Sequence, residues 1–151
     1  MSIGLALLAV TLTAPPSAPR EECSRDQEMR AMDEAESLPD WNSLYASFKK
    51  YSHCDDGAIW EGYSESVSRL FADKWLSMGG LRRLTSRDAA FRAFVLKHVD
   101  ELWTLERATR VRALASAQCP RPARGLCRDL LRQLDDAQRP AASSPGRPTR
   151  R

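Results

Sequence analysis

Between residues 24 and 134 apolar side chains recur at three- and four-residue intervals, and no stretch alternates in the manner of a strand. The spacing predicts a succession of amphipathic helices. Met29, Met32 and Ala35 mark a charged first helix over 24–36. Pro39 suits the first turn of a second, in which Trp41, Leu44, Tyr45 and Phe48 form a stripe that stops near 51–53. The longest element is predicted over 56–78, capped by Asp55 or Asp56, whose carboxylate satisfies free amides at the positive end of the helix dipole. Ile59, Tyr63, Val67, Leu70 and Phe71 share its apolar face, with Trp60, Trp75 and Met78 at the edges. Glu61, Glu65, Arg69 and Ala72 lie opposite, and Glu65 and Arg69 have the i, i+4 spacing of an ion pair. Gly79-Gly80 is expected to end this helix. Ser86 is the expected cap of the next, which carries Asp88 in its first turn and Phe91, Phe94, Val95, His98 and Val99 on one face. Thr104 caps a helix through Leu105, Ala108, Val111 and Ala115 that Pro120 must stop, and Leu126, Leu130, Leu131 and Leu134 mark a last short one.

Helices joined by short connections predict an all-α fold, a small antiparallel bundle of four to six helices. In such a bundle Cys23 and Cys54, at the starts of elements two apart, stand at one end. Cys119 stands at the other, one short loop from Cys127. The favoured pairing is therefore Cys23–Cys54 with Cys119–Cys127. Cys54–Cys119 with Cys23–Cys127 is the runner-up, and the sequence excludes none of the three connectivities.

Length and composition change this picture at its ends. Within 151 residues, 1–20 read as a signal peptide or leader: Ile3–Leu12 has the length of a leader's apolar core and is too short to span a bilayer, and Ala14 and Ala18 are candidate cleavage positions. No Lys or Arg precedes the run, and Pro15 and Pro19 are poor neighbours for a cleavage site. The stapled helical domain is assigned to 21–138, and 139–151 to a disordered Arg- and Pro-rich tail. An even cysteine count behind a leader predicts two bridges and a periplasmic or secreted location. The cysteine spacings match no metal motif.

The net charge of +3 conceals a polarity: Glu21–Glu65 holds 12 acidic and 4 basic residues, whereas Ser66–Cys119 holds 10 basic and 5 acidic. Such a division suggests self-complementation in the fold or a partner that reads one pole, but ordinary solvated helix faces in an Arg-rich composition are the simpler reading. The Arg-rich end lacks interleaved aromatics and helical period, so no nucleic-acid partner is expected.

The densest polar cluster is Tyr51–Tyr63. An enzyme would use His53 there as general base, with Asp55, Asp56 and Glu61 as orienters or cation ligands. Adjacent residues point apart, however, and Glu61 falls on the polar face, so a disulfide followed by a capped helix start is the simpler reading. His98, on an apolar stripe, reads as a satisfied core histidine for which Asp88 is a candidate partner. Cys54 as a nucleophile with His98 as base would need a reduced thiol, which export opposes. Gly62, which within a helix costs about 1 kcal/mol relative to Ala, is explained by a close helix approach or, as the alternative, by a partner pressing on the backbone, the first being the simpler reading. Trp60 and Trp75 either roof the core or, with Glu61 and Glu65, meet a protein partner. No catalytic residue, cofactor or metal ligand is assigned.

The segments CDDGAIWEGYSESVSRL at 54–70 and DAAFRAFVLKHVD at 88–100, with Cys119-Pro120, resemble small exported α-helical proteins of bacteria, a likeness covering about half the chain and carrying no known activity. The layout also resembles, in architecture alone, the disulfide-bearing periplasmic immunity proteins that neutralise type VI secretion amidases. That likeness implies an exported binding or inhibitory protein. The alternatives are a structural or envelope-stress protein without a discrete site, and a small periplasmic enzyme using His53 or His98.

Overall fold

The computed structural model describes residues 22–139, so the predicted leader and all but Arg139 of the predicted tail lie outside it. Seven α-helices build an all-α bundle, with no strand among the described residues. Helix α1 spans Arg25–Ala35, α2 Trp41–Tyr51, α3 Gly57–Asp73, α4 Met78–Arg87, α5 Ala89–Lys97, α6 Leu105–Ala117 and α7 Arg124–Ala137. Single 3-10 turns at Ser52–Cys54, Trp75–Ser77 and Arg121–Ala123 connect them.

The count exceeds the expected four to six because α4 follows where Gly79-Gly80 was expected to end a helix, while the helix foreseen over 56–78 already stops at Asp73. Helix α3 ends at Asp73, where the Lys74 carbonyl accepts from both the backbone N–H (2.8 Å) and the hydroxyl (2.5 Å) of Ser77. That captured carbonyl turns the chain and swings Trp75 inward, where its indole N–H donates to the Gln118 carbonyl at 3.1 Å. Gly79-Gly80 does not terminate a helix but lies in the first turn of α4.

Helix α3 is the axis of the bundle, with α1 packed on one side and α6 on another. This double burial explains why Ala72, together with Ser64, Ser66 and Ser68, is covered rather than solvated as the face opposite the apolar stripe was expected to be. The hydroxyls find partners: Ser66 Oγ donates to the Ala35 carbonyl (2.6 Å) and accepts from Leu38 N–H (3.3 Å), closing the end of α1.

Helix α1 begins with a reciprocal cap between Ser24 and Gln27. It turns Ala31 and Ala35 inward, while Met29 and Met32 are 58 % and 46 % exposed. The expected methionine stripe is thus rotated outward. The cause is Gly62 on α3, whose Cα approaches so closely that an added Cβ would lie 3.0 Å from Ala35 Cβ and 3.2 Å from the Glu36 nitrogen. Only small residues fit at that crossing.

Caps differ in detail from expectation. Asp40 caps α2 by accepting from Ser43 N–H at 2.8 Å, placing Pro39 before the cap instead of in the first turn. Asp88, not Ser86, caps α5 through Phe91 N–H at 3.0 Å, because the Ser86 hydroxyl is spent on the Arg83 carbonyl one turn back. The anticipated Glu65–Arg69 pair does not form: Glu65 meets Arg107 of α6, and Arg69 donates to the Leu38 carbonyl at 3.0 Å. Leu105 is exposed at the first turn of α6, outside the stripe assigned to it. The favoured disulfides are both present, Cys23–Cys54 and Cys119–Cys127, with Cα separations of 5.0 and 6.3 Å.

Candidate functional site

The Cys23–Cys54 staple joins the entry of α1 to the 3-10 turn Ser52–Cys54, and Asp55 follows at once. Asp55 turns inward to His98, the C-cap of α5, whose side chain is fully buried. His98 Nε2 lies 3.1 Å from Asp55 Oδ1, and Nδ1 lies 2.8 Å from the Phe94 carbonyl. Both ring nitrogens face oxygen partners, so each is engaged within the fold. Burial raises the Asp55 carboxyl, but the hydrogen bond and charge of His98, with those of Lys97, outweigh it and hold the group below 3.8. The acid that pairs with His98 is therefore Asp55, not Asp88, which serves as cap and accepts from Tyr45 Oη at 3.1 Å.

Trp60 covers this pair. Its ring centroid is 4.7 Å from that of His98, Lys97 Nζ stands over the ring 4.0 Å from its centroid, and its indole N–H donates to Asp100 Oδ2 at 2.8 Å. Ser64 Oγ shares that carboxylate oxygen at 2.5 Å. The cluster has its nitrogens and oxygens committed to one another, and neither nitrogen of His98 is left to take a proton from a substrate. His53 stands apart from it, beside the disulfide. Asp56 is turned to the start of α3, accepting from Gly57 N–H at 2.8 Å, and Glu61 is exposed. The structure thus does not gather His53, Asp55, Asp56 and Glu61 into one centre.

Of the four residues proposed for partner contact, Trp75 is 7 % exposed and belongs to the core, contrary to a surface role for its ring; the exposed side chain of that turn is the next residue, Leu76. Trp60 is half-buried and engaged internally. Glu61 and Glu65 line a groove between α1 and α3. It consists of two depressions of about 380 and 190 Å³ that share Met32 and Ala58. Glu28, Glu36 and Asp56 complete its acidic rim, and among the described residues no Lys or Arg lines either depression. Apart from Glu65, these acids form no ion pair among the described residues.

Glu28, Met32 and Glu36 were missed in the sequence reading. Two signals pointed to them: their own i, i+4, i+8 spacing in a charged helix, and Gly62, which brings α1 close enough for that face to border α3.

The fold and site define a disulfide-stapled, all-α bundle with a sealed histidine–carboxylate pair and one acidic groove. No family model matches the chain, and neither the curated proteins nor the solved structures contain a significant match.

Proposed function

We propose that this chain is an exported binding or inhibitory protein, immunity-like in mode, that engages a cationic protein partner through the α1–α3 groove. The observation that carries this reading is the groove itself: an exposed thioether flanked by Glu28, Glu36, Asp56 and Glu61, with no lining cation. Methionine supplies an adaptable apolar contact, and a ring of acids adds steering toward a basic segment. The two disulfides are compatible with a periplasmic or secreted site of action, and no helix among the described residues is long and apolar enough to cross a membrane. The staple at Cys23–Cys54 fixes the α1 entry beside the groove, so docking orders little additional chain.

The test is capture from a periplasmic extract by the immobilised full chain, followed by calorimetry with the recovered partner. The expected partner is basic at its contact surface and is lost when Glu36→Lys and Glu61→Lys are combined. Recovery of no stable partner, or a partner indifferent to that reversal, overturns the reading.

A further inference from the structure

The Cys23–Cys54 bridge has a third neighbour. One imidazole nitrogen of His53 and the two sulfurs all lie within 4.8 Å of one another. His53 Nε2 is buried and has no hydrogen-bond partner among the described residues, an expensive condition for a ring nitrogen. Cys54 is itself buried, and Cys23 is half-buried, so the group is sheltered on one side and reachable on the other.

We propose that reduction of the Cys23–Cys54 disulfide converts this end of the bundle into a three-ligand site for a thiophilic d10 cation, of which Zn²⁺ is the representative. Two thiolates and one imidazole are a donor set suited to such ions, and three protein ligands leave a fourth position open to water. Metal bonds of about 2.0–2.3 Å require ligand atoms roughly 3.3–3.8 Å apart, so after reduction the two sulfurs must separate from bonded contact to take up ligand positions. The chemistry balances without further components. A dithiol reductant gives two electrons and two protons to the disulfide and leaves as its own cyclic disulfide; the cation then displaces both thiol protons to solvent. Either bridge clips the entry of α1 to the turn at Ser52–Cys54, covalently when oxidised and through the metal when reduced. The site is independent of the groove and of any partner bound there.

The sequence alone argues against a metal here, because His53 and Cys54 are adjacent and Cys23 is 31 residues from Cys54. The 3-10 turn places the first two side by side, and the α1 entry delivers the third.

The test uses the full chain reduced with a phosphine under anaerobic conditions and titrated with Co²⁺, then Zn²⁺. The reduced protein is expected to take one Co²⁺ with thiolate-to-metal charge-transfer bands, to exchange it for Zn²⁺ and to release about two protons per Zn²⁺. The oxidised protein should show none of this. His53→Ala should weaken Co²⁺ binding at least tenfold while still forming the disulfide on oxidation, and Cys23→Ser with Cys54→Ser should abolish the bands. Absence of bands in the reduced protein, equal affinity in His53→Ala, or bands that survive loss of Cys23 and Cys54 overturns the proposal, the last by locating the metal at Cys119 and Cys127. If the reduced chain loses helicity, Zn²⁺ should restore it in the wild type and fail to do so in His53→Ala; restoration in both, or in neither, overturns the proposal equally.

Discussion

Asp55 is where one side chain decides most. Its carboxylate answers the buried His98 ring and Lys97 together. Removing one member of a buried pair leaves the other uncompensated, which typically costs several kcal/mol. Asp55→Ala should therefore lower unfolding free energy by about 3 kcal/mol in a denaturant titration, far more than an exposed acid such as Glu61 would. The folded carboxyl lies below its ordinary value, so its contribution is complete above 3.8 and disappears as pH falls through the folded value. Wild type and Asp55→Ala should accordingly converge in stability in the acid limb below about pH 4. Tyr63 works from the other side. Burial, partly opposed by the Ser47 hydrogen bond, raises its phenol from 10.0 to about 12. The stability it gives is full below pH 10 and is lost as pH rises toward 12, so the helicity of wild type should fall across that window, while Tyr63→Phe should lack that component of the loss. The sequence showed that His98 lies on a buried stripe but not who faces it. Asp55 is 43 positions away, and the match depends on how far α5 slides past the 3-10 turn, a register that no local pattern encodes.

At the level of elements, Gly62 joins sequence to packing most directly. Ala there would gain about 1 kcal/mol of helix propensity, but its Cβ would press on backbone and Cβ of α1, and such overpacking costs about 1–3 kcal/mol. Gly62→Ala should thus be destabilising overall, and thermal unfolding with exchange of α1 amides should show α1 loosened first. The staples should rank by loop length. In the chain-entropy model, bridges across separations of 31 and 8 residues contribute about 3.7 and 2.5 kcal/mol, so losing Cys23–Cys54 should cost more than losing Cys119–Cys127. Six of the seven helices and the favoured pairing were legible because period and alternation survive in the sequence, whereas α4 was not, since Gly79-Gly80 at its start reads as a helix stop. The break at Lys74 was not, because apolar spacing runs through it unbroken. What ends α3 is a carbonyl captured by Ser77 and a tryptophan drawn to Gln118, the first hidden in a common residue and the second 43 residues distant.

For the whole molecule, the charge polarity of the chain becomes a polarity of surfaces. Arg82, Arg83 and Arg87 of α4, with Arg121 on the adjoining turn and Arg124 and Arg128 of α7, form no ion pair among the described residues. Glu28, Glu36, Asp56 and Glu61 of the α1–α3 groove are left likewise, and of the groove acids Glu65 alone meets a cation, Arg107. Self-complementation within the fold, one of the readings of the sequence, therefore does not account for these four acids. Acids sharing a face without cations repel, and the free protein bears that cost. Replacing Glu36 and Glu61 by Gln should raise unfolding free energy by about 0.5–1 kcal/mol at low ionic strength. The gain should shrink by more than half in 1 M salt, where the screening length falls to about 3 Å. Denaturant titrations at the two salt concentrations measure this directly. A gain that appears and screens as expected marks a face held in tension by like charge, which a cationic partner would relieve. No gain at low salt would mean the acids already have their compensation within the fold, and the electrostatic case for the groove would fall with it.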